Sequence, residues 1–480
     1  MKKRILYILL LSFILADTGF SFIQFYTTPI DGDFAGGVVP APDVQQVLNS
    51  PLGTDVFTHK QPYSNPNRFF SHYSFYTFFN TVPELLQKIF TPITSLYVSC
   101  ALAKIIIQLM LLYLLAVCIS GTFNMAKFEF MLSAALVTPF FQTNGYRSYM
   151  GIIDPCTTYL FFYALPCVLV LLYFLPLILK QYHLANLRFT YVHKLIWLLL
   201  AIPVSLSGPL NPGISLVISV LIVLLNVLNH QKNLTEQHYW KKALTLLASI
   251  VRSYGFYLIP ISMLSLYSLY LGQYNSISLA NPMPLNKLYA LLPEGLFYQF
   301  FQNLGFPVLF LSLGLNFYIL KQIPRTVERQ KLLRSYTWIM LFALLYLLLL
   351  PLGGYRSYRP YVLRFDTIMP LTLSLIFLYG ITTLYVLKNL QQQKKAWYIA
   401  WVIVVMFVFT NADKPQFDKN RNEKEGLKQI VISTDNVIVL KHNCTVFSWG
   451  NLVKPEDSEL NAQLLYQLHI TTSKKYYYNQ

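Results

Sequence analysis

The chain has 480 residues, of which 55% are hydrophobic, 16% aromatic and only 12% charged. Soluble globular chains carry about 25% charged residues, so the composition excludes a soluble single-core protein. The net charge of +17 does not indicate nucleic acid either. Most Lys and Arg stand in short segments between apolar runs, which is how orientation is encoded in a bilayer.

The N-terminal stretch MKKRILYILLLSFILADTG has a basic start, an apolar run and a poor small-residue cleavage pattern. It reads as an uncleaved first span that continues to about Tyr26, with Asp17 inside it. Residues 27–92 follow as the longest loop outside the tail. That loop opens with PIDGDFAGG, and its later part, SHYSFYTFFNTVPELLQKIF, mixes aromatic and polar residues as interfacial helices do. Further apolar runs lie near residues 93–120, 128–143, 155–179, 195–209, 212–229, 254–272, 296–320, 335–352, 367–387 and 397–411. With the first they make about eleven spans.

With Lys2, Lys3 and Arg4 inside, alternation places KQYHLANLRFTYVHK, HQKNLTEQHYWKKA, KQIPRTVERQKLLR and KNLQQQKKA in the cytoplasm. These are the most basic short connectors, as the positive-inside rule requires. Residues 27–92, 273–295, the tail and two loops carrying the same pentapeptide, GYRSY, then lie outside. The tail stretch GLKQIVISTDNVIVLKHNCTVFSWGN is β-branched with partial alternation and reads as strands. The expected fold is an all-α polytopic membrane protein, with residues 1–412 as the transmembrane region. Residues 413–480 form a small extracytoplasmic α/β domain in this reading, and the host membrane is the cytoplasmic (inner) one.

Asp31 and Asp33 flank a glycine just after the first span. A carboxylate there can serve as general base toward a hydroxyl, and the pair can hold a divalent cation beside a phosphate. The competing reading is a solvated Asp-Gly turn. Arg147, in the first GYRSY copy at residues 145–149, stands on the outer face, where orientation bias disfavours Arg. Arg356, Arg359 and Arg364, in and after the second copy at 354–358, do the same. Guanidinium groups donate paired hydrogen bonds that suit phosphate oxygens; snorkelling beside an aromatic belt is the alternative. Asp154 and Asp366 follow the two copies and either orient the arginines or cap the next helix, capping being favoured for Asp154 because Pro155 follows it. His72, in FFSHYSF, is a further polar group of the long loop. A third RSY, at Val251–Tyr257, falls at a cytoplasmic edge, so the repeated letters alone are no sign of duplication.

The five cysteines form no CxxC or Cys/His cluster. Apart from Asp17, no Asp or Glu lies deep in a span, unlike the pattern of ion-coupled transporters. ATPase, serine-hydrolase, zincin and Rossmann motifs are all missing.

In three stretches the sequence resembles the GT-C class of integral-membrane glycosyltransferases, which take sugars from polyprenyl-phosphate carriers. These are IDGDFAGG with SHYSFYTFF after it, TPFFQTNGYRSYMGIIDPCTTYLFFYALP, and YRPYVLRFDTIMPLTLSLIF ahead of a soluble tail. The resemblance implies a sugar transfer on the outer face to a glycan, lipid or protein acceptor. It implies a base or metal-binding role for Asp31 or Asp33, and phosphate binding by Arg147, Arg356, Arg359 and Arg364. The HPP turn of many relatives is replaced here by His72-Tyr73-Ser74. A transporter or flippase of lipid-linked saccharides, and a non-catalytic envelope-assembly protein, are the readings from other classes.

Overall fold

The computed structural model describes residues 2–59, 61–144, 150–183, 190–230, 239–280, 282–301, 304–353, 359 and 361–480. The chain is mostly helical. In order it forms α1 (Lys2–Tyr26), α2 (Phe34–Val38), α3 (Pro42–Asn49), α4 (Asp55–His59), α5 (Phe69–Leu86), α6 (Pro92–Ser120) and α7 (Phe128–Val137). Next come α8 (Thr157–Tyr159) and α9 (Leu165–His183), joined through a π turn at Leu160–Ala164. Then follow α10 (Tyr191–Ser205), α11 (Asn211–His230), α12 (Tyr239–Gly272), α13 (Ser276–Ala280), α14 (Leu285–Phe301) and α15 (Gly305–Gln322). The last long helices are α16 (Val327–Leu349), α17 (Phe365–Asn389) and α18 (Gln392–Ala412). The C-terminal segment holds α19 (Arg421–Ile432), β1 (Val437–Leu440), α20 (Glu459–Gln467) and β2 (Tyr476–Asn479).

Among the described residues, eight helices are long and apolar enough to cross a membrane, with the run from α8 to α9 counted as one. The number is nine if the bent pair α14 and α15 forms one span. Two expected spans are not among the eight, because their helices are short: the apolar helix from Phe128 ends at Phe140, and α10 has 15 residues. The protein therefore has the character of a multi-pass membrane protein. α6 and α17 are apolar on every face, and most of their membrane-length windows are buried. A helix hydrophobic all round belongs at the centre of a bundle, and both contribute heavily to the main core. In the windows of α1, α12, α16 and α18 most residues are unburied, so these helices are more peripheral.

The first loop folds back over one end of the bundle through aromatic packing. Phe34 of α2 meets Phe75 and Phe79 of α5 edge-on, at centroid separations of 5.4 and 4.6 Å. Phe75 in turn meets Phe161 of the π turn at 5.2 Å. A Cβ on Gly37 would stand 2.6 Å from the Phe75 ring, so this approach of α2 to α5 requires glycine.

The C-terminal segment covers α2 and α5. β1 and β2 pair in parallel, with Val437 opposite Tyr476 and Leu440 opposite Asn479, and α20 lies in the connection between them, as parallel pairing demands. One expectation is corrected. The GLKQIVI part of the expected strand run is the second half of α19, and only Val437–Leu440 is extended. Leu427 and Ile430 are buried three residues apart on one helix face, together with Glu423 and Gly426. Packing at helical spacing overrides the β propensity of the Ile-Val-Ile triplet.

Candidate functional site

Asp31 and Asp33 lie two residues apart, yet their side chains do different work. Asp31 is buried and holds the start of α8: its Oδ1 accepts from the Thr158 hydroxyl at 2.6 Å, and its Oδ2 from the Thr158 N–H at 3.1 Å. Burial raises its carboxyl above the usual carboxylate range, and the two Thr158 hydrogen bonds pull it partly back. Asp33 is exposed, and its Oδ1 accepts a hydrogen bond from Trp449 Nε1 at 3.2 Å. Gly32 between them has no room for a side chain, because a Cβ there would stand 2.6 Å from the Trp449 ring and 2.7 Å from the Trp449 backbone nitrogen.

Asp33 lines a cleft of about 620 Å³ at the end of the bundle. Its floor and walls come from the first loop, the α8–π turn region, Arg359 and the C-terminal segment. Arg68, His72, Tyr159 and Arg359 share this cleft with Asp33. Arg359 Nη2 donates to the Tyr159 hydroxyl at 3.2 Å, and its guanidinium carbon lies 5.4 Å from the Tyr159 ring centroid. The Tyr159 ring is in turn 6.1 Å from that of Trp449. Two aromatic side chains therefore connect the Asp33 carboxylate to the Arg359 guanidinium across one cavity.

Asp366 orients the cationic side. Its Oδ2 accepts from Arg364 Nη2 at 2.7 Å and from Arg359 Nη1 at 3.4 Å, while its Oδ1 accepts from the Thr367 N–H. One carboxylate against two guanidinium groups leaves a net positive charge, and the Arg359 side chain is 11% exposed, so that charge is only partly screened. Arg364 does not line the cleft; it begins α17 and holds Asp366 in place.

His72 is buried in the cleft wall against the Phe162 ring at 4.8 Å, and its Nε2 has no hydrogen-bond partner. Burial, reinforced by the Arg68 guanidinium, lowers its pKa to about 3, so the imidazole is neutral over the physiological range. A neutral ring with an unpaired nitrogen can exchange one hydrogen bond with a hydroxylated ligand.

Asp154 does not cap a helix that starts at Pro155. Its Oδ1 accepts from the Cys156 N–H at 2.8 Å, an Asx-type turn, and the helix begins at Thr157. The turn suits the extended approach to α8, which Asp31 then anchors. Arg147 and Arg356, with both GYRSY copies, lie outside the described residues. The flanks of the first copy are held: Met150 N–H donates to Gln142 Oε1 at 3.2 Å, and Asp413 accepts from the backbone of Thr143 and Asn144 at 2.9 and 2.8 Å. Among the described residues no three His, Cys, Asp or Glu side chains gather as metal ligands. Of the two aspartates expected to share a cation, only Asp33 reaches the cleft.

Sequence reasoning missed four contributors. Arg68 precedes His72 by four residues, a helical spacing that could have paired them. Lys104 is buried in the middle of α6, where an intramembrane ammonium is itself a signal; its Nζ donates to the Pro155 carbonyl at 2.5 Å. Tyr159 and Trp449 gave no local signal, since their importance arises only from contacts with distant parts of the chain. No protein-family model matches the chain, and no curated protein matches it significantly.

Proposed function

We propose that the chain is a GT-C-like membrane glycosyltransferase that moves a sugar from a polyprenyl-phosphate carrier to an acceptor on the outer face of the cytoplasmic membrane. The observation that carries this reading is the pairing of Asp33 with Arg359 in one cleft at the end of an apolar bundle. In this reading Asp33 takes the proton of an acceptor hydroxyl, whose oxygen bonds to the anomeric carbon. The bond from that carbon to the carrier phosphate oxygen breaks, and the leaving phosphate keeps the electron pair, its charge met by Arg359. Arg364 and Asp366 position Arg359, and His72 exchanges a hydrogen bond with a sugar or acceptor hydroxyl. Of the two aspartates after the first span only Asp33 could serve a divalent cation in the cleft, which Asp43, Glu456, Asp457 and Glu459 also line, because Asp31 is buried against Thr158.

In the same proposal the bent pair α14–α15, the short helix from Phe128 and α10 are spans, giving about eleven crossings. The N-terminus is cytoplasmic, and residues 413–480 form a small extracytoplasmic α/β domain that lines the cleft with Phe447, Ser448 and Leu452 and reaches Asp33 through Trp449.

The test is transfer by the full chain in liposomes containing a polyprenyl-phosphate sugar, read as release of the lipid phosphate. Asp33→Asn is expected to lower kcat about 10²- to 10⁴-fold while the protein stays folded, and Arg359→Gln to raise KM and lower kcat. Full activity in Asp33→Asn overturns the reading, as does movement of the lipid-linked sugar across the bilayer without phosphate release.

A further inference from the structure

The span that helps to line the cleft also borders a second cavity at its other end. Tyr163 of the π turn lines the cleft, and Lys180 of α9 follows 17 residues later, roughly 26 Å away at the helical rise per residue. Around that end a groove of about 470 Å³ runs between α9, α11, α16 and α17. Its walls are apolar for most of its length, with Phe174, Leu177, Ile218 and Phe342 among them. Lys180 from α9 and Lys331 and Arg334 from α16 stand at its mouth.

These three cations are placed for an anion from outside the chain. Lys180 and Arg334 are exposed and Lys331 is half-buried. Lys180 Nζ sits 4.8 Å from the Tyr254 ring centroid. Among the described residues none of the three forms an ion pair with a carboxylate. Orientation bias alone places cations at span ends. It does not explain why cations from two spans line one apolar cavity of ligand-binding size. An apolar body with a cationic mouth complements a long apolar chain with an anionic head.

We infer that this groove binds an anionic membrane phospholipid, with its phosphate headgroup on Lys180, Lys331 and Arg334 and an acyl chain along α9 and α11. The site lies at the bilayer face opposite the cleft and does not depend on glycosyl transfer.

Trp338 lines the groove and supplies the readout. The full chain is reconstituted in phosphatidylcholine bilayers containing increasing mole fractions of phosphatidylglycerol or phosphatidylcholine with dibrominated chains. The fluorescence lost in wild type but not in Trp338→Phe isolates quenching of that residue. Half-maximal quenching is expected at a mole fraction about a hundred-fold lower for the anionic lipid. Lys331→Gln with Arg334→Gln is expected to reduce that preference about 25-fold, each cation being worth about five-fold. In the wild type, unbrominated phosphatidylglycerol should restore the fluorescence, and inorganic phosphate should not. Equal quenching by the two lipids, a preference undiminished in the double variant, or displacement by inorganic phosphate would each overturn the inference.

Discussion

His72 shows how a single side chain can be placed at the expense of stability. Its Nε2 is buried without a partner, and an unsatisfied buried polar atom costs about 1–3 kcal/mol. His72→Leu is therefore expected to leave the thermal midpoint unchanged or raised near neutral pH while lowering the transfer proposed above. The pH dependence has a definite sign. The folded imidazole has its pKa lowered from 6.5 to about 3, so between these values the unfolded chain binds a proton that the folded chain does not. The histidine's contribution to stability is complete above pH 6.5 and is lost as pH falls toward 3. Thermal unfolding of wild type and His72→Leu across that range measures it, and parallel curves would show that the ring titrates normally. The sequence displayed His72 as a polar residue in an aromatic run, and Arg68 four positions earlier. It did not display the burial of the ring, which depends on Phe162 from another helix.

At the scale of elements, the first loop, the body of α5 and the start of α8 are joined by side chains that the linear pattern presents as loop residues. Thr158 is the clearest case, because both its N–H and its hydroxyl donate to Asp31. Thr158→Val keeps the side-chain shape but removes the hydroxyl, leaving Asp31 Oδ1 without that donor. It should lower stability by about 1–3 kcal/mol, seen as a reduced unfolding midpoint in detergent. Asp33→Asn, at an exposed position, should leave the midpoint close to wild type. Equal losses in the two variants would mean that the aspartates are not divided between anchoring and the cleft. The long apolar elements were legible because membrane helices announce themselves by length and hydropathy. The tail helix α19 was not, because a β-branched triplet carries strand propensity until Leu427 and Ile430 find a partner surface.

Across the whole molecule, the cleft depends on contacts that bring the two ends of the chain together. Asn420 Nδ2 donates to the Tyr26 carbonyl at 2.9 Å, and Trp449 reaches Asp33 across more than four hundred residues. No local motif can encode such a pairing, which is why the bundle could be read from sequence while the lid-like position of the tail could not. Glu423 is the centre of this docking. Its carboxylate accepts from the Tyr97 hydroxyl at 2.5 Å, the Ile30 N–H at 3.1 Å and the Phe447 N–H at 3.3 Å, so it joins α6, the first loop and the tail. Burial nevertheless pushes its pKa from 4.5 up to about 7, against the pull of these hydrogen bonds. In this window the folded state holds a proton that the unfolded state has released, so stability falls as pH rises from about 4.5 to about 7 and is flat above. The shift corresponds to about 3 kcal/mol across the window. Glu423→Gln retains an acceptor and cannot titrate, so its unfolding midpoint should lack this decline and equal or exceed that of wild type at pH 8. His72 contributes an opposite slope between about pH 3 and 6.5 in both proteins, so it cancels when the two curves are subtracted. A difference curve that stays level from pH 4.5 to 7 would mean that Glu423 is ionised throughout, with the hydrogen bonds from Tyr97, Ile30 and Phe447 outweighing its burial.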